Sequence, residues 1–440
     1  CGDMQEPMEL LELPGISLDY FLRGLAGEAY QDNTVFQELY SWYLQSPEYR
    51  ILVKKLTEAS FSERPSDKIG KTVAKILYGE ISPYSATRLE RFAACAFAHF
   101  LQYGLKVTER AEYEFRAMDM GNVMHMALEK FAAEVRKEGL DWAELTEEER
   151  NRIIDSCLDQ VSADYGNTIL KSSARNEYMI ERTRRILRRT VWALQEQLKH
   201  GAFRPEGFEV RFQGGRIDRV DIMEEPENNR VYVKVIDYKT GNTSFDLLAL
   251  YHGLQLQLMV YLDGALQVEK RKYPDREIVP AGVFYYNVKD PMIQEKIHAD
   301  MESINEQMLK KMKMNGLVQA DDNMSTKIDS TMASIPVSLN RDGSFSKRSS
   351  VASRKQFDAL GAYVRRKICD IRESILDGNA AVEPYELGKK NACTYCPYLT
   401  VCGFDRKIPG YEFHRLSSIE EDALWKKIMK GEEENGSEMD

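Results

Sequence analysis

The sequence predicts an α/β protein, a small mixed sheet flanked by helices, and three observations predict it. Apolar residues recur at helical spacing through most of 82–200. After Pro205 the period changes to two, with Phe208, Val210 and Phe212 alternating. A further strand-like run, 231–241, passes from valines to a carboxylate and an ammonium just before Gly241.

Taken in chain order, residues 1–80 read as short helices broken at Arg64-Pro65. Gly70-Lys71-Thr72 resembles the end of a phosphate-binding loop. The glycine required five residues earlier is Pro65, so no Walker motif forms there. Ser85 is an expected N-cap with Glu90 in the early turns, and Leu89, Phe92, Ala93, Ala96, Phe97 and Phe100 make one apolar face of a helix that also contains Cys95. A second helix begins near Gly121, with Val123, Met124, Ala127, Leu128, Phe131 and Val135 at core spacing and His125 at the edge of the stripe. Charged helices fill 144–200. Strands follow over 208–222, with a turn or bulge at Gly214-Gly215, over 231–238, and near 281–288. Helices are expected over 246–266, 293–315 and 353–378, the last ending at Gly378. The polar, Ser- and Asn-rich segment 316–352 reads as a mobile loop. Residues 416–440 read as helical and then, from Gly431, as a disordered acidic tail.

With 440 residues, 43% hydrophobic and 30% charged, the chain has the composition of a globular protein of two or three domains. No run approaches the ~18 apolar residues of a membrane span, and the first twenty residues lack a signal peptide. Cys1-Gly2 could mimic a processed lipoprotein terminus, but without an initiator Met a fragment boundary is the better reading. Seven cysteines, an odd number, argue against a disulfide framework and for a reducing cytoplasm. A net charge of −10 is unpromising for a nucleic-acid binder, yet the cations are unevenly distributed. Arg182, Arg184, Arg185, Arg188 and Arg189 crowd one helix, and 341–355 is a basic, Ser-rich segment. Arg182, Arg185, Arg189, Lys347 and Arg348 are therefore candidate DNA contacts.

The chemical centre lies in G-G-R-I-D-R-V-D-I (214–222) and V-Y-V-K-V-I-D-Y-K-T-G (231–241). Residues two apart on a strand share a face, so Val231, Val233 and Val235 align with Asp237 and Lys239. Burying those polar groups without partners would cost several kcal/mol. A metal ion bridging Asp237 and Asp218 would satisfy them. Mg2+ or Mn2+ on hard oxygen ligands suits phosphodiester hydrolysis, with Lys239 orienting water or neutralising phosphate and His125 adding a nitrogen ligand or a phosphate contact. Downstream, in L-Q-L-Q-L-M-V-Y-L (254–262), Gln257 and Tyr261 lie four apart and project from one helix face. The bland alternatives are a surface Asp237–Lys239 ion pair and an ordinary amphipathic helix.

Cys393, Cys396 and Cys402 form a C-x2-C-x5-C cluster, and with Cys95 they make four thiolates suited to an iron–sulfur cluster or to tetrahedral zinc. Cys1, Cys157 and Cys369 lack ligand spacing.

Together these motifs resemble the RecB-type branch of the PD-(D/E)XK nucleases, and within it the nuclease domain of the AddB (RexB) family of helicase–nuclease subunits. The resemblance covers roughly 80–415. It is carried by S-A-T-R-L-E-R-F-A-A-C, G-N-V-M-H, G-R-I-D-R-V-D, V-I-D-Y-K-T-G, Q-L-M-V-Y and C-T-Y-C-P-Y-L-T-V-C. It implies the PD-(D/E)XK fold over 81–415, metal binding by His125, Asp218, Asp237 and the main chain of Tyr238, and a catalytic Lys239 aided by Gln257 and Tyr261. Asp221 is a weaker ligand candidate and Glu209 a supporting carboxylate. The same resemblance implies a 4Fe–4S cluster on Cys95, Cys393, Cys396 and Cys402, a staple joining the N- and C-terminal segments. It also implies an AddA-type helicase–nuclease partner and degradation of the 5′-ended strand at linear DNA ends. The family's Cys-Pro at the first cysteine is Cys95-Ala96 here, and the family's N-terminal helicase-like region has no counterpart in these residues. The alternatives are a free-standing exonuclease, a silent DNA-binding scaffold or an electron-transfer protein. The intact D…D-x-K set argues against the scaffold, and the distance of Cys95 from the other cysteines argues against electron transfer.

Overall fold

The computed structural model describes residues 14–25, 33–60, 68–79, 85–109, 117–165, 173–293, 300–408 and 410–436. The expected break at Arg64-Pro65 lies outside them. The chain divides into two compact units, Cys1–Ser66 and Asp67–Asp440. In the first, helices Pro14–Leu25, Asn33–Gln45 and Arg50–Ser60 gather around Phe21, Tyr43 and Val53.

The second unit is built on a six-stranded sheet in sequential order: β1 (Arg204–Phe212), β2 (Gly215–Glu225), β3 (Arg230–Lys239), β4 (Glu277–Asn287), β5 (Asn315–Gln319) and β6 (Val351–Ala352). β1–β2, β2–β3 and β4–β5 are antiparallel, whereas β3–β4 and β5–β6 are parallel. The sheet is thus mixed, as expected. Parallel β3 and β4 require a crossover, and helices Leu247–Tyr251 and Gln257–Lys272 provide it. These two replace the single helix expected over 246–266. The break falls at Gly253, whose φ of +81° is the left-handed conformation that glycine adopts freely.

Both faces of β3 are buried. Tyr232, Ile236 and Tyr238 pack with Phe131, Leu158 and Leu187 from the helices Ala117–Lys137, Glu147–Asp164 and Ala174–Lys199. Val231, Val233 and Val235 pack with Leu258, Leu262 and Leu360 on the other side. That second layer contains Gln257–Lys272, Arg354–Leu376 and the Ser85-capped helix Ala86–Ala94. Asp237 ends the valine face, so the sheet itself delivers its carboxylate to the second layer. A buried charge cluster lies on the opposite face, where Arg219 donates to Asp221 at 2.6 and 2.9 Å and Lys234 pairs with Asp221 at 3.0 Å. Asp221 is fully engaged there, away from the centre in which it was a weaker candidate.

Three expectations need correction. Segment 316–352 is not one loop: it supplies most of β5, the helix Met324–Ile328 and all of β6, and Asp329 ties its middle together by accepting from Thr331 and Ser334. The helix expected over 293–315 is Met301–Lys311, with 294–299 outside the described residues. The acidic C-terminal run is helical as far as Gly436, within Glu421–Gly436. A second small sheet, β7 (Tyr385–Leu387), β8 (Lys390–Asn391) and β9 (His414–Arg415), was not anticipated.

β5 approaches β4 so closely at Gly316 that a Cβ there would overlap the Val283 carbonyl oxygen. Gly316→Ala is expected to destabilise the protein by about 1–3 kcal/mol, as overpacked core positions do, read as a lower urea midpoint at unchanged slope.

Candidate active site

The centre forms where the C-terminal end of β3 meets β2, below the first turn of Gln257–Lys272. Asp237 is 2% exposed; its Oδ2 lies 2.7 Å from Lys239 Nζ and its Oδ1 accepts from Gln257 Nε2 at 3.1 Å. Lys239 donates to Gln257 Oε1 at 2.8 Å, and Gln257 Nε2 also donates to the Tyr261 hydroxyl at 2.9 Å. The amide therefore ties the aspartate, the lysine and the phenol into one network, with its orientation fixed from both ends. Gln255, the rival amide, instead accepts from the Asp246 amide and donates to the Ser244 carbonyl.

Asp218 is on β2, and its Oδ2 accepts from the Tyr238 main-chain N–H at 2.7 Å. His125 Nδ1 lies 3.4 Å from the same oxygen. His125, Glu209 and Asp218 each bring a ligand atom within 4.8 Å of the others. Glu209 reaches this point through an unusual backbone, φ +49°, which non-glycine residues rarely adopt and which is concentrated at functional sites. Its buried carboxylate pairs with Arg216.

Electrostatics mark the cluster. Burial pushes the Asp218 carboxyl well up, and the neighbouring Asp237 charge adds to the shift. Burial also raises Asp237, against the pull of Lys239, and brings Glu209 to about 7. His125 is shifted the other way, by burial first and then by Lys239. Three carboxylates, Asp218, Asp237 and Glu209, confined beside Lys239 and Arg216 outnumber the cations, and they are the donor chemistry that suits a hard divalent cation.

Sequence reasoning did not assign Glu90 to the site. From the helix Ala86–Ala94, its Oε1 accepts the main-chain N–H groups of Leu256 at 2.6 Å and Gln257 at 2.9 Å. A carboxylate directly following Leu89 in an apolar stripe was the available signal. Burial pushes Glu90 up to about 7, well above an ordinary carboxyl. Between that ordinary value and pH 7 the folded chain thus holds a proton that the unfolded chain releases. The stability contribution is complete at acid pH and is lost as pH rises to about 7. Glu90→Gln is expected to flatten this part of the stability–pH curve, checked by urea midpoints across that range.

The four candidate cysteines converge as well. Cys95, Cys393, Cys396 and Cys402 line one small cavity with Phe97, Tyr398 and Phe404. Cys95 does not lie within a helix as expected. It interrupts one, with φ −167° and ψ 115° between Ala86–Ala94 and Ala96–His99, and its thiol faces the main-chain N–H groups of Phe97 and Ala98. The Phe404 N–H donates to Cys402 Sγ at 3.5 Å. Burial raises the Cys95 and Cys393 thiols, Cys393 to about 11. Tyr398 donates to the Val107 carbonyl at 2.9 Å, so the two ends of this unit also meet without the cysteines.

The arginine-rich helix Ala174–Lys199 is largely neutralised within the protein. Arg185 and Arg189 face Asp290, Arg184 reaches Asp159 at 2.7 Å, and Arg188 pairs with Asp155. Arg182, Lys347 and Arg348 are exposed.

Residues 83–403 match the sequence profile of the PD-(D/E)XK nuclease superfamily. The chain is 39% identical over 438 residues to an ATP-dependent helicase/deoxyribonuclease subunit from Lachnoclostridium phytofermentans, covering 94% of this chain and 38% of that protein. It is 35% identical to the protein of the same name from Alkaliphilus metalliredigens, over 89% of this chain and 36% of that one. The Thermoanaerobacter sp. protein of that name is 33% identical over 93% of this chain and 37% of its own length. The chain thus spans under two-fifths of these curated relatives.

Proposed function

We propose that this chain, which belongs to the PD-(D/E)XK nuclease superfamily, hydrolyses DNA phosphodiester bonds with Mg2+ or Mn2+ at the Asp218–Asp237–Lys239 centre. One observation carries the reading: two buried carboxylates from adjacent strands converge with a lysine that is 2.7 Å from Asp237 and held by Gln257 at 2.8 Å. Asp218, Asp237, His125 and the main chain of Tyr238 would hold the cation, with Glu209 in support. A divalent cation bound there neutralises charge on the scissile phosphate and lowers the pKa of a bound water. Lys239 stabilises negative charge developing on the phosphate oxygens and orients the attacking water. Gln257, anchored by Tyr261, holds the ammonium at that position.

Cys95, Cys393, Cys396 and Cys402 are proposed to hold a 4Fe–4S cluster that staples the domain. All four thiols line one cavity, drawn from both ends of the unit, and this supports a shared metal group there.

The names of the relatives attach such a domain to an ATP-dependent helicase. We therefore assign linear DNA as substrate, delivered as single strands by an AddA-type partner, with the 5′-ended strand degraded. Residues 1–80 serve as the connector, and Arg182, Lys347 and Arg348 as backbone contacts whose contribution falls with salt.

The test is degradation of end-labelled linear DNA by the purified chain with Mg2+ or with chelator. Lys239→Ala is expected to slow Mg2+-dependent cleavage by about 10²- to 10³-fold, the loss typical of one charge-stabilising donor, while calorimetric Mn2+ binding persists. Cleavage that is indifferent to chelator would refute the reading.

A further inference from the structure

The helix Gln257–Lys272 carries two residues of the site, yet its own sequence leaves its N-terminus uncapped. Its N-cap position is Leu256, and no side chain of that residue serves as a cap. The first main-chain N–H groups of a helix need acceptors, and an N-cap normally supplies one from the adjacent chain. Here the acceptor comes from 166 residues away, with Glu90 Oε1 taking both the Leu256 and the Gln257 N–H. Glu90 lies on the helix that ends at Cys95, and the same Gln257 whose main chain it grips holds Lys239 and Asp237 through its side-chain amide. Glu90's bonds to the Leu256 and Gln257 main chain, and the two bonds from the Gln257 side chain, thus join the cysteine-bearing helix to the lysine and the aspartate.

We propose that Glu90 is a positioning residue for DNA hydrolysis: it caps the Gln257 helix in trans and so sets the Gln257 amide that aligns Lys239 with Asp237. The inference rests on the nuclease reading above. Glu90 touches neither substrate nor cation in this assignment. It needs only an acceptor oxygen, which glutamine also provides, whereas alanine provides none.

The experiment compares wild type, Glu90→Ala and Glu90→Gln on two independent readouts. The first is amide hydrogen exchange across 254–262, with exchange elsewhere as the internal control. The second is steady-state Mg2+-dependent cleavage of end-labelled DNA. Glu90→Ala is expected to speed exchange at Leu256 and Gln257 about tenfold or more while protection elsewhere holds. Its kcat falls by about tenfold to a hundredfold with KM for DNA little changed, as a misplaced catalytic group gives. Glu90→Gln restores most of both. Wild-type exchange and kcat in Glu90→Ala would overturn the proposal. So would a general loss of protection, or an alanine variant that glutamine does not improve, since either makes Glu90 merely structural. A folded wild-type chain that does not cut removes the nuclease reading, and the exchange result alone then decides whether Glu90 is the cap.

Discussion

Asp237→Ala is expected to abolish Mg2+-dependent DNA cleavage while leaving the metal-free protein folded. Asp237 contacts both Lys239 and Gln257, and it is 2% exposed. In the proposed assignment its loss removes a cation ligand, and it also releases the lysine that it pairs with. Cation-based charge stabilisation is worth several kcal/mol, and about 1.4 kcal/mol is tenfold in rate, so a fall of ~10³-fold or more is expected. Stability moves differently. Burial raises the Asp237 carboxyl, so its ionised form is disfavoured in the folded chain. Removing it relieves part of the repulsion that Asp218 experiences. The variant is therefore expected to unfold at an unchanged or higher urea midpoint at neutral pH without metal, and to lose the stabilisation that Mg2+ gives wild type. A variant that cannot cut because it has unfolded would not fit this account.

Cys396→Ser is the second large effect. Cys95 and the C-terminal cysteines are separated by about 300 residues, and a cross-link closing a loop of that length restricts the unfolded chain by up to ~5–6 kcal/mol in the chain-entropy treatment. Tyr398–Val107 and the Phe97 amide donating to the Ala381 carbonyl still join the two ends, so partial folding is retained. The expected result is loss of visible iron–sulfur absorbance, a drop in melting temperature of many degrees, and loss of DNA cleavage through the loosened Cys95 helix. A colourless wild-type protein carrying one equivalent of zinc would exclude the iron cluster.

What the sequence made legible follows from range. Asp237 and Lys239 share a strand face by local periodicity, and Gln257 and Tyr261 share a helix face by the same logic; both pairs meet in the structure. The mixed sheet was readable because β2, β3 and β4 are rich in valine, isoleucine and aromatics. β5 and β6 were not: they are short, and Asn315-Gly316 reads as a turn when taken alone. Their strand character comes from pairing with β4 and with each other. Glu90 was missed because its partners are main-chain groups 166 residues away. The arginines of Ala174–Lys199 looked like a free basic stripe because Asp155, Asp159 and Asp290, which neutralise them, lie outside that helix. Cys95 was placed in a helix by its apolar neighbours, whereas the chain breaks there as the thiol faces the other three cysteines.

The most direct test of the central claim is cleavage of end-labelled linear DNA by anaerobically purified wild-type chain, first metal-free and then with added Mg2+, with Asp237→Ala in parallel. The account predicts degradation that begins only on Mg2+ addition and is absent from a folded variant with an unchanged visible spectrum. Degradation by the variant, or none by a folded, metal-loaded wild-type chain, would contradict it.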